Sequence, residues 1–145
     1  MRLTAKTGVV ALLVISVLSI ASTAAAARPA AAGTKTIASF CSSSGDVCYG
    51  IFNASGKVTL RITTAARYFG HYTLCVRLLP PQSDPAHTRR CGSYPVFRQG
   101  GSTWGSTIRY ARQFPVHRPG RYRVTWSLTS SGALGPPLYF RLPLP

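Results

Sequence analysis

Few side chains in this sequence could run acid–base or nucleophilic chemistry, and their spacing is poor for it. Asp46 and Asp84 are its only carboxylates, and Glu is absent. Glycoside hydrolysis by the usual route needs two positioned carboxyl groups. Here one stands in Gly45-Asp46, between Cys41 and Cys48, and the other in the turn cluster Pro80-Pro81-Gln82-Ser83-Asp84-Pro85. Asp beside Gly or before Pro is ordinary turn chemistry, because its short side chain bonds the nearby backbone. His71, His87 and His117 each sit in or beside a turn cluster, and no G-x-S-x-G elbow is present to expose a serine nucleophile. Gly100-Gly101 reads as a hairpin signal rather than a phosphate-cradling loop. With no C-x-x-C and no H-x-x-x-H, the usual ligand spacing for zinc is missing. The sequence is therefore expected to be no enzyme, with no metal and no cofactor.

The four cysteines, 41, 48, 75 and 91, are instead an even set suited to two disulfides. Cys41–Cys48 and Cys75–Cys91 are the expected pairs, since both close short local loops. Loop-closure entropy gives them about 2.5 and 3 kcal/mol respectively. Such a framework belongs to an oxidising compartment, and the N-terminus agrees. Arg2 and Lys6 precede an apolar run from Val9 to Ala21, followed by Ser22-Thr23-Ala24-Ala25-Ala26-Ala27. That three-part layout is a secretory signal peptide over residues 1–27, cut after Ala27 or one residue earlier. Its apolar run is short for a membrane span. Cys41 lies too far beyond it for lipidation, so no stable span is expected after cleavage. Residues 28–39 are small and Ala-rich and read as a disordered lead-in, leaving residues 40–145 as the folded domain.

The abundant chemistry is cationic. Lys and Arg number 17 against 2 acids, a formal charge of +15. A field of that sign draws in polyanions. For an exported chain the candidates are teichoic-type polymers, acidic polysaccharide, anionic lipid headgroups or extracellular DNA, with nothing pointing to specific nucleic-acid recognition. A GC-rich genome also favours Arg over Lys, but it does not account for the missing acids.

The elements that must position these charges are strands. In Lys57–Thr64 the residues Val58, Leu60 and Ile62 alternate with Lys57, Thr59, Arg61 and Thr63. Tyr72, Leu74, Val76 and Leu78 repeat the pattern against Thr73, Cys75 and Arg77. Tyr122, Val124, Trp126 and Leu128 do so against Arg121, Arg123, Thr125 and Ser127, and Leu138, Phe140 and Leu142 against Tyr139 and Arg141. Weaker strands fit Val47–Phe52, Tyr94–Arg98 and Trp104–Phe114. Seven short strands separated by Gly, Pro, Asn and Ser turns indicate an all-β, immunoglobulin-like two-sheet sandwich, with a small closed barrel as runner-up.

Pro119-Gly120-Arg121-Tyr122-Arg123-Val124-Thr125-Trp126, followed by a Gly-containing turn and a final strand, resembles the last hairpin of bacterial immunoglobulin-like domains. The resemblance implies a tyrosine corner at Tyr122, its hydroxyl tied back to the preceding turn. The copper-binding CopC family ends in a similar hairpin. Its ligands, histidines including one at the mature N-terminus, have no counterpart at Ala27 or Arg28, so copper is not implied. Cys41 to Ala66, with Gly45-Asp46-Val47-Cys48-Tyr49-Gly50-Ile51-Phe52, resembles uncharacterised exported proteins of soil bacteria with high-GC genomes, and implies no function.

On the immunoglobulin-like assignment, Arg77, Arg121, Arg123, Tyr139 and Arg141 fall on one sheet and parity turns all five outward. This is the expected polyanion-binding face. The outward set of the other sheet, Lys57, Arg61 and Arg109, is sparser. The function expected is a secreted or wall-associated, non-catalytic module that binds anionic envelope polymers. The alternatives are a small-ligand carrier with a pocket between the sheets, as in the similarly sized apoproteins of enediyne chromoproteins, and an exported hydrolase.

Overall fold

Alternating apolar residues dictate strands with one buried face, and the computed structural model, which describes residues 33–80, 89–114, 117–129 and 131–145, has ten of them. They are β1 (Thr34–Cys41), β2 (Val47–Ala54), β3 (Lys57–Thr64), β4 (His71–Leu78), β5 (Arg89–Pro95), β6 (Phe97–Gly100), β7 (Thr103–Arg109), β8 (Gly120–Leu128), β9 (Gly132–Ala133) and β10 (Leu138–Leu142). One helical turn, α1 (Tyr110–Gln113), follows β7. All pairings are antiparallel and make two sheets, β1-β2-β3-β7-β6 and β10-β8-β4-β5, with β9 added to the end of β8. Strands β2, β3, β7 and β6 take the places of A, B, E and D in an immunoglobulin sandwich. Strands β5, β4, β8 and β10 take those of C′, C, F and G.

The core lies between the sheets. Ile51, Leu60 and Ile62 from one sheet and Leu74, Val124 and Trp126 from the other are almost wholly buried. Aromatic rings fill the width. Tyr49 of β2 stacks on Trp126 of β8 at 4.5 Å, and Tyr122 stacks on Phe140 at 4.9 Å. The Tyr72 and Ser106 hydroxyls, from opposite sheets, are hydrogen-bonded at 2.6 Å. Burial raises the Tyr72 phenol to about 12, more than this bond lowers it. Tyr110 is raised further, chiefly by burial.

The expected tyrosine corner is present: the Tyr122 hydroxyl donates to the carbonyl of Arg118 at 2.6 Å. Both expected disulfides are present too, and each joins residues directly opposite one another in a hairpin, Cys41 with Cys48 and Cys75 with Cys91. The β2–β3 turn is closed by the Gly56 amide donating to Asn53 Oδ1 at 2.7 Å. Gly56 sits there at a φ of 78°, a left-handed conformation that glycine adopts without steric cost.

Three details depart from the sequence reading. The segment expected as a lead-in, residues 28–39, contains most of a strand, because β1 starts at Thr34 and pairs with Ala54 of β2. A bulge between Thr36 and Ala38 breaks its alternation, which hides the strand, although Ile37, Ala38 and Phe40 pack on the core. Tyr94–Arg98 is two strands in different sheets. Val96 between them is buried and donates its amide to the carbonyl of Gly70, so the chain changes sheets there. Trp104–Phe114 ends as a strand at Arg109, and the helical turn lets Tyr110 and Phe114, four residues apart, both enter the core with their rings 5.7 Å apart. With the two-residue β9 as well, ten strands among the described residues stand where seven were expected. Residues 1–27 lie outside the described residues, as do Asp84 and His87.

Candidate polyanion-binding face

The sheet β10-β8-β4-β5 turns its inner parity to the core and its outer parity to solvent, and this alone sets the candidate face. Arg77 projects from β4, Arg121 and Arg123 from β8, and Tyr139 and Arg141 from β10, all on one sheet and all exposed. Register brings them closer than parity alone required. Arg77 lies directly opposite Arg123 on one side and Arg89 of β5 on the other, and Arg123 in turn lies opposite Tyr139. One line across four strands thus reads Arg89, Arg77, Arg123, Tyr139. With neighbouring strands about 4.8 Å apart, three guanidinium stems rise within roughly 10 Å.

Two residues along β8, Arg121 lies opposite Arg141. The Arg121 guanidinium carbon sits 4.5 Å from the centre of the Tyr139 ring, a cation–π contact worth about 0.5–1 kcal/mol at an exposed site. Like charges directly opposite one another in a sheet destabilise it by about 0.2–1 kcal/mol per pair. This face holds three such pairs: Arg89–Arg77, Arg77–Arg123 and Arg121–Arg141. Among the described residues no carboxylate relieves them. Asp46 belongs to the other sheet's β1–β2 hairpin, where its carbonyl accepts the Ala65 amide and its own amide donates to Ser44 Oγ.

Beside the arginine line the next outward residues are short: Cys91, Cys75 and Thr125, again opposite one another across β5, β4 and β8. Long side chains next to short ones leave a recess of about 220 Å³, lined by Cys75, Arg77, Arg89, Arg123 and Thr125. Cys75 was expected to face outward; it does lie on the outer parity, but it is buried under its disulfide and Arg89, whose Nη2 donates to Cys75 Sγ at 3.6 Å.

Arg89 is the site residue the sequence reading missed. It follows the proline-rich turn cluster and precedes the stretch recognised as a strand. The signal for it was the disulfide: an antiparallel register that pairs Cys75 with Cys91 also pairs the residues two positions beyond each, Arg77 with Arg89.

The opposite sheet differs. Arg61 rests over Phe52 at 4.9 Å, and Arg109 faces Thr59, so neither stands opposite a like charge. His71 and His117 are exposed at the start of β4 and in the α1–β8 connection, the latter ring 5.5 Å from Tyr110. Among the described residues no three His, Cys, Asp or Glu side chains gather as a metal-binding group, and no helix is long and apolar enough to cross a membrane. Two disulfides are compatible with an extracellular protein. No family model matches the chain, and no curated protein or solved structure does either.

Proposed function

We propose that this chain is an exported, non-catalytic binding module whose arginine face associates with anionic polymers of the cell envelope. The observation that carries the reading is the line Arg89–Arg77–Arg123, three like charges opposite one another on adjacent strands, joined by the Arg121–Arg141 pair. An arrangement that costs stability in the free protein is relieved when a polyanion neutralises it. Arginine suits the task because its planar fork stays charged and grips phosphate or carboxylate through two bonds. The filled space between the sheets, stacked through Tyr49, Trp126, Tyr122 and Phe140, favours this reading over a carrier with an internal pocket.

The test is binding of the oxidised protein to isolated cell envelopes and to purified teichoic-type polymer across a salt series. Affinity should fall steeply with salt, and each of Arg77→Gln, Arg121→Gln and Arg123→Gln should lower the log–log slope by up to about one. Affinity indifferent to salt, or no binding at low salt, overturns the proposal.

A further inference from the structure

The recess beside the arginine line gives the basic face a bounded place where a ligand group can sit. Resting on the reading above, we infer that it is a subsite for a tetrahedral oxyanion, the phosphoryl or sulfuryl group of an ester, rather than for a planar carboxylate. It is lined by three arginines from three adjacent strands, Arg89, Arg77 and Arg123, together with the shorter Thr125 and Cys75.

A carboxylate offers two oxygens in one plane, and a single arginine fork satisfies both. Three forks on adjacent strands line one recess and together offer more donors than two coplanar oxygens accept, whereas a tetrahedral group brings three or more oxygens to them. The Thr125 hydroxyl, also in the lining, is a further donor. Arg89 is already steered over the recess by its contact with Cys75 Sγ at 3.6 Å. Sulfur is a weak acceptor, so the rest of that fork stays available. Among the described residues, Arg77 and Arg123 have no hydrogen-bond or ion-pair partner, so their donors are uncommitted. The volume of about 220 Å³ is ample for such a group with its linking atoms. Tyr139 and the Arg121–Arg141 pair, next along the same face, would follow the rest of the ligand.

The experiment has two arms. In the first, the 15N-labelled oxidised protein is titrated at constant ionic strength with inorganic phosphate, sulfate or acetate, reading the backbone amides and arginine Nε–H signals. Phosphate or sulfate should move Arg77, Arg89, Arg123 and Thr125 saturably, with acetate at least tenfold weaker. Arg89→Gln should weaken the tetrahedral anion about tenfold, whereas Arg109→Gln on the opposite sheet should leave it unchanged. Both residues are exposed, so the unaltered spectrum elsewhere reports that each variant is folded.

In the second arm, poly(glycerol phosphate), dextran sulfate and polygalacturonate of matched charge are compared. Preference for the first identifies a phosphoryl source and for the second a sulfuryl source, and either supports the inference. Polygalacturonate bound as tightly, with the same dependence on Arg89, overturns the subsite but leaves the polyanion reading standing. If none of the three binds at low salt, both fall.

Discussion

Replacing Arg77 with Gln is expected to stabilise the fold while weakening its binding. Arg77 is the middle of the line, opposite both Arg89 and Arg123, so its removal relieves two like-charge pairs at once. At about 0.2–1 kcal/mol for each, the gain is about 0.4–2 kcal/mol. For a domain of this size it is a rise of several degrees in Tm. Gln keeps much of the stem, so little packing is lost. The gain must also depend on salt. At 10 mM ionic strength the screening length is about 30 Å, far beyond the strand spacing, but at 1 M it is about 3 Å and the repulsion is largely screened. Urea unfolding followed by tryptophan fluorescence measures this directly, since urea, unlike guanidinium chloride, leaves ionic strength alone. Arg109→Gln is the control, because its cross-strand neighbour is Thr59, and it should change stability little at either salt. An Arg77→Gln protein less stable than the parent at 10 mM, or one whose gain persists undiminished at 1 M, would refute the reasoning about the line.

Three further outcomes follow from the core and the disulfides. Burial raises the folded-state pKa of Tyr72 to about 12 and pushes that of Tyr110 up further. Their stabilising contribution is complete below the unfolded value near 10 and is lost as pH rises toward the folded one, at about 1.4 kcal/mol per pH unit for each tyrosine. Urea midpoints should therefore drop above about pH 10, and Tyr72→Phe should flatten that drop. Because the Tyr72 and Ser106 hydroxyls satisfy each other, Tyr72→Phe or Ser106→Ala alone should cost about 1–3 kcal/mol by stranding a buried partner. The double variant should cost less than the two added together. Loss of the Cys75–Cys91 bridge in a Cys75→Ser, Cys91→Ser protein should cost about 3 kcal/mol and weaken anion binding by freeing Arg89. The corresponding Cys41→Ser, Cys48→Ser protein should lose about 2.5 kcal/mol and bind as before.

The fold was legible in this sequence wherever alternation ran unbroken. In β3, β4, β8 and β10 parity separated core from solvent except at Thr59 and Cys75, which are buried on the outer parity, and it turned five members of the candidate face outward. Where local geometry interrupts the period, the sequence gives a weaker signal. The bulge at Thr36–Ala38 places two residues against one on the partner strand, so β1 does not alternate. At Val96 one apolar stretch serves two sheets, and no propensity marks the change. At Tyr110 a strand becomes a helical turn without a change in the facing of its aromatic ring, so parity could not register it. The site was legible as a face but not as a line, because parity assigns sides whereas opposition requires register. Cross-strand cysteines carried that register, and through it Arg89 was within reach of sequence reasoning.

The two disulfides have a mechanical consequence. Each closes a hairpin within one sheet, so no disulfide ties one sheet to the other, and between the backbone crossings they are held together by non-covalent packing. A force applied through the chain ends can separate them without breaking a covalent bond. The closed loops, spanning 7 and 16 residues, withhold roughly 80 Å of contour length at about 3.5 Å per residue. An oxidised molecule stretched between two anchors should extend by that much less than a reduced one. The Cys75–Cys91 staple also keeps β4 against β5 after the sandwich has parted. On the proposed reading, the opposition of Arg77 and Arg89 is then the part of the arginine face that outlasts rupture.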